Sequence, residues 1–231
     1  MMTSYMNSRV RVILNVSAAQ RVRLEALQST FSEACNALAP TVQITRCWNR
    51  VALHHMTYKR LRERFPTLGS QMVCNAIYSV SRAARIVYQH PKSPCNIQQL
   101  GTRPLPLLKF SLGAPVYFDR HTLSLKDGVL SLFTLDGRMR FDLNVSATNE
   151  ARFRTGKLRE IAYTANANEC ALDFAFADGD EASDDDPAKG DGRWPEYVLV
   201  MADNTELPAP VFSAMPIERA MAAEFHTKAN P

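Results

Sequence analysis

The sequence predicts an α+β protein: a small β-barrel interrupted after its first strand by a three-helix insertion, then an acidic disordered loop and a short C-terminal tail. Three observations carry that reading. Apolar residues recur at spacings of three and four between Ser17 and Val87, the signature of amphipathic helices. From Val116 onward the spacing changes to alternation, twice broken by Asp-Gly, the strongest short-range signal for a hairpin. The charge is also split: residues 1–160 hold 23 Lys+Arg against 9 Asp+Glu, a net +14, while residues 161–231 hold 4 against 14, a net −10. With 231 residues, 46% apolar and 22% charged, the chain can bury a real core.

The first element, "RVRVILNV" from Arg9 to Val16, alternates arginine with valine and leucine as a half-buried strand does. Ser17-Ala-Ala-Gln20 has the spacing of a capping box, and Leu24, Leu27, Phe31, Ala34 and Leu38 then mark one helix face until Pro40, which is expected to close the helix. A second helix is predicted over 45–65, with Ile44, Val51, Tyr58, Leu61 and Phe65 on one stripe and Arg46, Arg60 and Arg64 on the other side. A third begins at Ser70 behind Gly69. It buries Val73, Ala76, Ile77, Val80, Ala84 and Val87 and is expected to turn Asn75, Tyr78, Arg82 and Arg85 outward.

A Pro-rich connector, "QHPKSPCNIQQLGTRPLPLLKF", leads into the predicted meander. Its strands are "TLSL", "VLSLFTL" and "RMRFDLNV", joined at Lys126-Asp127-Gly128 and Asp136-Gly137. Met139, Phe141 and Leu143 face inward, and Arg138, Arg140 and Asp142 face outward. "KLREIAYTA" and "ECALDFAFA" follow, with a turn at residues 166–168. The domain reading is therefore 9–16 plus 104–177 for the barrel, 17–103 for the helical insertion, and 178–231 for the acidic linker and tail. The stretch "DGDEASDDDPAKGDGRW" is too charged and too rich in Gly and Pro to build a core, and "EYVLVMADN" reads as a last strand.

Several classes find no support. No apolar run is long enough to span a bilayer, and the start has no signal-peptide pattern, so no membrane is expected and a bacterial cytoplasmic location is the default. The five cysteines are odd in number and scattered, which reads as reduced thiols rather than a disulfide framework or zinc ribbon. No GxxxxGK[ST], GxSxG or HExxH occurs. His54 and His55 are adjacent on a helix, point about 100° apart and cannot share one catalytic site. The run Asp184, Asp185, Asp186 lacks the Gly and distal Glu of a calcium loop. No catalytic residue, metal or cofactor is expected, and a basic body of this charge points to a polyanion.

The stretches "LNVSAAQRVRLEALQSTFSEACNALA", "WNRVALHHMTYKRLRERFPTLGSQMVCNAIYSV" and "FDRHTLSLKDGVLSLFTLDGRMRFDL", in that order and spacing, resemble the N-terminal half of the TnpB/OrfB transposon-associated RNA-guided nucleases, relatives of the type V CRISPR effectors. The resemblance covers roughly Val12 to Phe176. It implies a wedge, OB-like barrel that grips a guide RNA and a helical recognition lobe that contacts guide and target DNA backbones. Carried over by position, the lobe contacts are Arg46, Lys59, Arg60, Arg64, Arg82 and Arg85. The barrel contacts are Arg120, Arg138, Arg140, Arg152, Arg154 and Lys157. Tyr78, Tyr58 and Trp48 are candidate stacking platforms, with core burial favoured for Trp48.

The sequence departs from that family where a RuvC nuclease domain would open with a metal-binding Asp followed by Gly. Asp203 is followed by Asn204, and too few residues remain to bring together the carboxylates of a two-metal site. The zinc finger is missing as well. The expectation is a nuclease-dead ribonucleoprotein component that holds a guide-like RNA and either binds DNA passively or recruits a separate effector or nuclease subunit. Two alternatives remain from sequence: an RNA-independent DNA-binding regulator, and a protein-interaction subunit that uses its acidic tail as a nucleic-acid mimic.

Overall fold

The computed structural model describes residues 8–143, 151, 153–166, 168–177 and 192–201. The acidic stretch 178–191, Asp203, the tail and Arg152 lie outside the described residues, and of Lys157 only the backbone is described.

The first strand, β1 (Ser8–Ile13), exposes Arg9 and Arg11 and half-buries Val10 and Val12, as its alternation predicts. The capping box forms: the Ser17 hydroxyl accepts from the Gln20 amide at 3.2 Å, and the Gln20 side chain accepts from the Ser17 amide at 2.9 Å. The helix it opens, α1 (Ala18–Thr45), runs straight through Pro40. An interior proline costs about 3 kcal/mol of helix stability, but every residue from Ala37 to Gln43 is buried, and that tertiary burial outweighs the local penalty. Arg46, with φ 53°, then terminates α1 in the left-handed region.

The second helix is shorter than its predicted span. Asn49 accepts from the amides of Val51 and Ala52 and so starts α2 (Arg50–Arg64) later than the predicted 45. That shift changes the buried stripe to Leu53, Thr57 and Leu61, leaving Ile44 56% and Val51 64% exposed. The third helix, α3 (Ser70–Gln89), starts where Gly69 predicts. It packs against both α1 and α2, with Val73, Ala76, Val80, Ala84 and Val87 fully buried. A single turn, α4 (Ile97–Leu100), follows in the Pro-rich connector.

The strands form three antiparallel sheets, and no closed barrel is present among the described residues. The first sheet has the order β1-β8-β7-β3, built with β3 (Val116–Phe118), β7 (Lys157–Ala165) and β8 (Cys170–Ala177). The second pairs β2 (Leu107–Phe110) with β9 (Val198–Met201). The third is the meander β4 (Leu123–Lys126), β5 (Val129–Thr134) and β6 (Gly137–Asp142). The barrel expectation fails at Asp119, whose carboxylate accepts from the amides of His121 and Thr122. That turn ends β3 after three residues and re-aims the chain out of the four-stranded sheet into a separate one.

The meander otherwise matches its pattern. Asp127 (φ 52°) and Gly128 (φ 74°) supply the two left-handed residues of a type I′ hairpin turn. In the second hairpin the two turn residues are Leu135 and Asp136, since Gly137 already pairs with Thr134. Met139 and Phe141 are buried while Arg138, Arg140 and Asp142 are exposed. Between β7 and β8, the Asn166 side chain accepts from the amides of Asn168 and Glu169. One continuous apolar core joins residues of the three long helices to all three sheets. All five cysteines are free thiols. No described helix is long and apolar enough to cross a membrane.

Candidate nucleic-acid interface

Arginine is plentiful in residues 1–160, and its guanidinium groups differ in whether they face solvent or turn into the fold. The predicted contacts divide into three groups. The first is turned inward. Contrary to the expected outward face of α3, Asn75 is 6% exposed and donates to the Tyr117 carbonyl. Tyr78 donates to a Glu160 carboxylate oxygen at 3.2 Å and sits edge-on to Tyr117. Arg82 lies 3.6 Å from the same carboxylate and donates to the Tyr117 hydroxyl at 3.1 Å, and the Tyr117 and Tyr197 hydroxyls are 3.1 Å apart. Burial works against the Arg82 charge, and neighbouring Tyr117 and Glu160 outweigh it and raise its pKa. Burial pushes the Tyr117 phenol well above its usual value, Tyr197 adding to the effect. Tyr78 and Arg82 thus join α3 to the β3–β7 edge of the four-stranded sheet; Arg85, one turn on, is half-buried. Arg46 is half-buried and donates to the carbonyls of Gly101 and Arg103, which tethers its guanidinium to the turn after α4.

The second group lies on α2. This helix carries Arg50, Lys59, Arg60, Arg62 and Arg64 against one acidic residue, Glu63. Lys59 and Arg64 are exposed and Arg60 half-buried, with Arg60 and Arg64 one turn apart on one face. Arg62 donates to the Leu68 carbonyl, which fixes its position but leaves its charge uncancelled. Arg50, which sequence reasoning did not single out, stacks over the Tyr78 ring at 5.4 Å, and the Asn49 cap preceding it was the available signal. Tyr58 stacks on His54 with ring centroids 4.6 Å apart. Trp48 is half-buried, packs against Tyr88 and donates to Gln89.

The third group surrounds the meander. Arg138 stacks over Phe133 at 4.3 Å while donating to the Ser131 and His121 carbonyls. Arg140 and Arg154 are exposed, and exposed Arg120 donates to the Gly156 carbonyl at 2.7 Å. The two exterior groups hang from opposite ends of α1. α2 follows its C-terminal end after a short connection, and the meander docks at its N-terminal end, where Arg23 pairs with Asp136 at 2.6 Å. The charge of Arg11, by contrast, is cancelled: it bridges Glu169 at 2.6 Å and Asp173 at 2.7 Å.

Among the described residues, no group of three His, Cys, Asp or Glu side chains is placed to share a metal ion. Compared with known proteins, the chain matches no family model and no curated sequence.

Proposed function

We propose that the chain is an RNA-binding, TnpB-like protein that holds a guide-type RNA and acts with target DNA or a separate effector or nuclease subunit. The observation that carries the reading is α2, a docked helix that holds five basic side chains against one carboxylate, with Arg50, Lys59 and Arg64 exposed. Leu53 and Leu61 are fully buried beneath it, so the cations stand on a fixed support. Hydrogen bonds from arginine to main-chain carbonyls, as at Arg62 and Arg120, position a guanidinium without neutralising it. A sugar-phosphate chain is the ligand that rewards a local excess of fixed cations, through counterion release.

Sequence discrimination is delegated to RNA base pairing in this reading, with the protein holding backbone and fold. The test is to purify the chain from its native host at low salt and sequence the nucleic acid that accompanies it. One discrete, structured RNA species is expected, together with weaker binding of duplex DNA in its absence and no magnesium-dependent cleavage by the chain alone. A preparation free of RNA that also fails to bind RNA at low salt contradicts the proposal.

A further inference from the structure

Between the meander and the four-stranded sheet lies a cavity of about 200 Å³. Its floor is Leu123, Ile161 and Phe174, each less than 5% exposed. Phe153 forms one wall, held edge-to-face against Phe174 with ring centroids 4.3 Å apart and packed on Phe176 as well. Arg120 and Arg154 line it with exposed side chains, and among the described residues no carboxylate lines the cavity.

We infer that this cavity is a subsite for one unstacked nucleobase of the bound RNA, with Arg120 and Arg154 taking the flanking phosphates. Three features select that ligand class. The volume is below the roughly 300–1,000 Å³ typical of pockets for larger ligands, so it takes a single planar ring system rather than an extended molecule. An apolar interior with an aromatic wall suits a base splayed out of its strand, the usual mode of single-stranded RNA recognition. The two exposed guanidiniums favour a ligand that carries negative charge beside its ring. Arg120 spends one Nη2 donor on the Gly156 carbonyl, which fixes the guanidinium while further N–H donors remain. The sequence signal is Phe153 between two arginines, visible as "RFR" but not separable there from an ordinary core phenylalanine.

The inference rests on the RNA-binding reading and deepens it. The experiment compares the full chain and its Phe153→Ala variant on a short oligouridylate and on a length-matched abasic ribose-phosphate strand. The wild-type chain is expected to favour the base-bearing strand, and Phe153→Ala to lose about tenfold in affinity for it. On the abasic strand that loss should vanish, a difference that a merely structural role for Phe153 cannot produce. Phe153→Trp should restore discrimination between the two strands. Equal losses on both strands, or equal wild-type affinity for them, overturn the subsite while leaving RNA binding in place. Failure of the wild-type chain to bind either strand also overturns the subsite, and the RNA-binding reading then falls if the chain purified from its host carries and binds no RNA.

Discussion

α2 and α3 pack against each other and both carry arginines three or four residues apart, yet they use them in opposite ways. On α3 the guanidinium of Arg82 points into the four-stranded sheet, meets Glu160 and two tyrosines, and becomes part of the interior. On α2 Lys59 and Arg64 stay at the surface of a helix whose sequence holds five cations and one carboxylate, Glu63. Arginine spacing alone does not separate these fates; the position of a carboxylate on a distant strand, β7, does. Under the proposed function α3 contributes stability and α2 binds the ligand, and each role can be broken separately.

The largest effect is expected from removing what anchors α2. Leu61 is fully buried, and Leu61→Ala should cost about 3 kcal/mol of unfolding free energy in a urea titration. A loss below about 1 kcal/mol would mean that α2 is not firmly docked. Next comes the interior pair. Glu160→Gln leaves Arg82 without its countercharge and should cost about 2 kcal/mol, with RNA affinity unchanged once the protein is folded. An RNA defect without a stability defect would move Arg82 into the binding surface.

A smaller effect is expected with pH. Burial pushes the Cys35 thiol up to about 12 and raises the Tyr88 and Tyr117 phenols as well. The folded state therefore holds these protons more tightly than the unfolded chain. Their contribution is fully present below the unfolded thiol range near pH 9 and is lost as pH rises toward 12. The melting temperature should fall over that window, less steeply in Cys35→Ala. At the small end, the exposed Arg23–Asp136 pair should matter little, and Asp136→Asn should move the melting temperature only marginally.

Local signals were the legible part of the fold. The Ser17 capping box, the start of α3 behind Gly69 and the Asp127-Gly128 turn depend on a few adjacent residues, and all three form as their chemistry dictates. Pro40 misled because a local rule was overruled by burial along α1. The barrel misled because alternation specifies strands but not partners, and the Asp119 turn that divides the sheets carries no long-range signal. The site divided in the same way. The exposure of Arg64 and Arg140 follows from periodicity, whereas the inward turn of Tyr78 and Arg82 depends on a carboxylate that only tertiary structure supplies.

The division of labour between the two helices is tested most directly by the salt dependence of RNA binding. With wild-type protein, log affinity should fall linearly with log salt. Arg60→Glu/Arg64→Glu should weaken binding and flatten the slope by about 1.4, roughly 0.7 for each single-strand phosphate that is no longer neutralised. Arg82→Gln, measured where it remains folded, should leave the slope as it is. A slope indifferent to the α2 reversal, or one that follows Arg82 instead, contradicts the assignment.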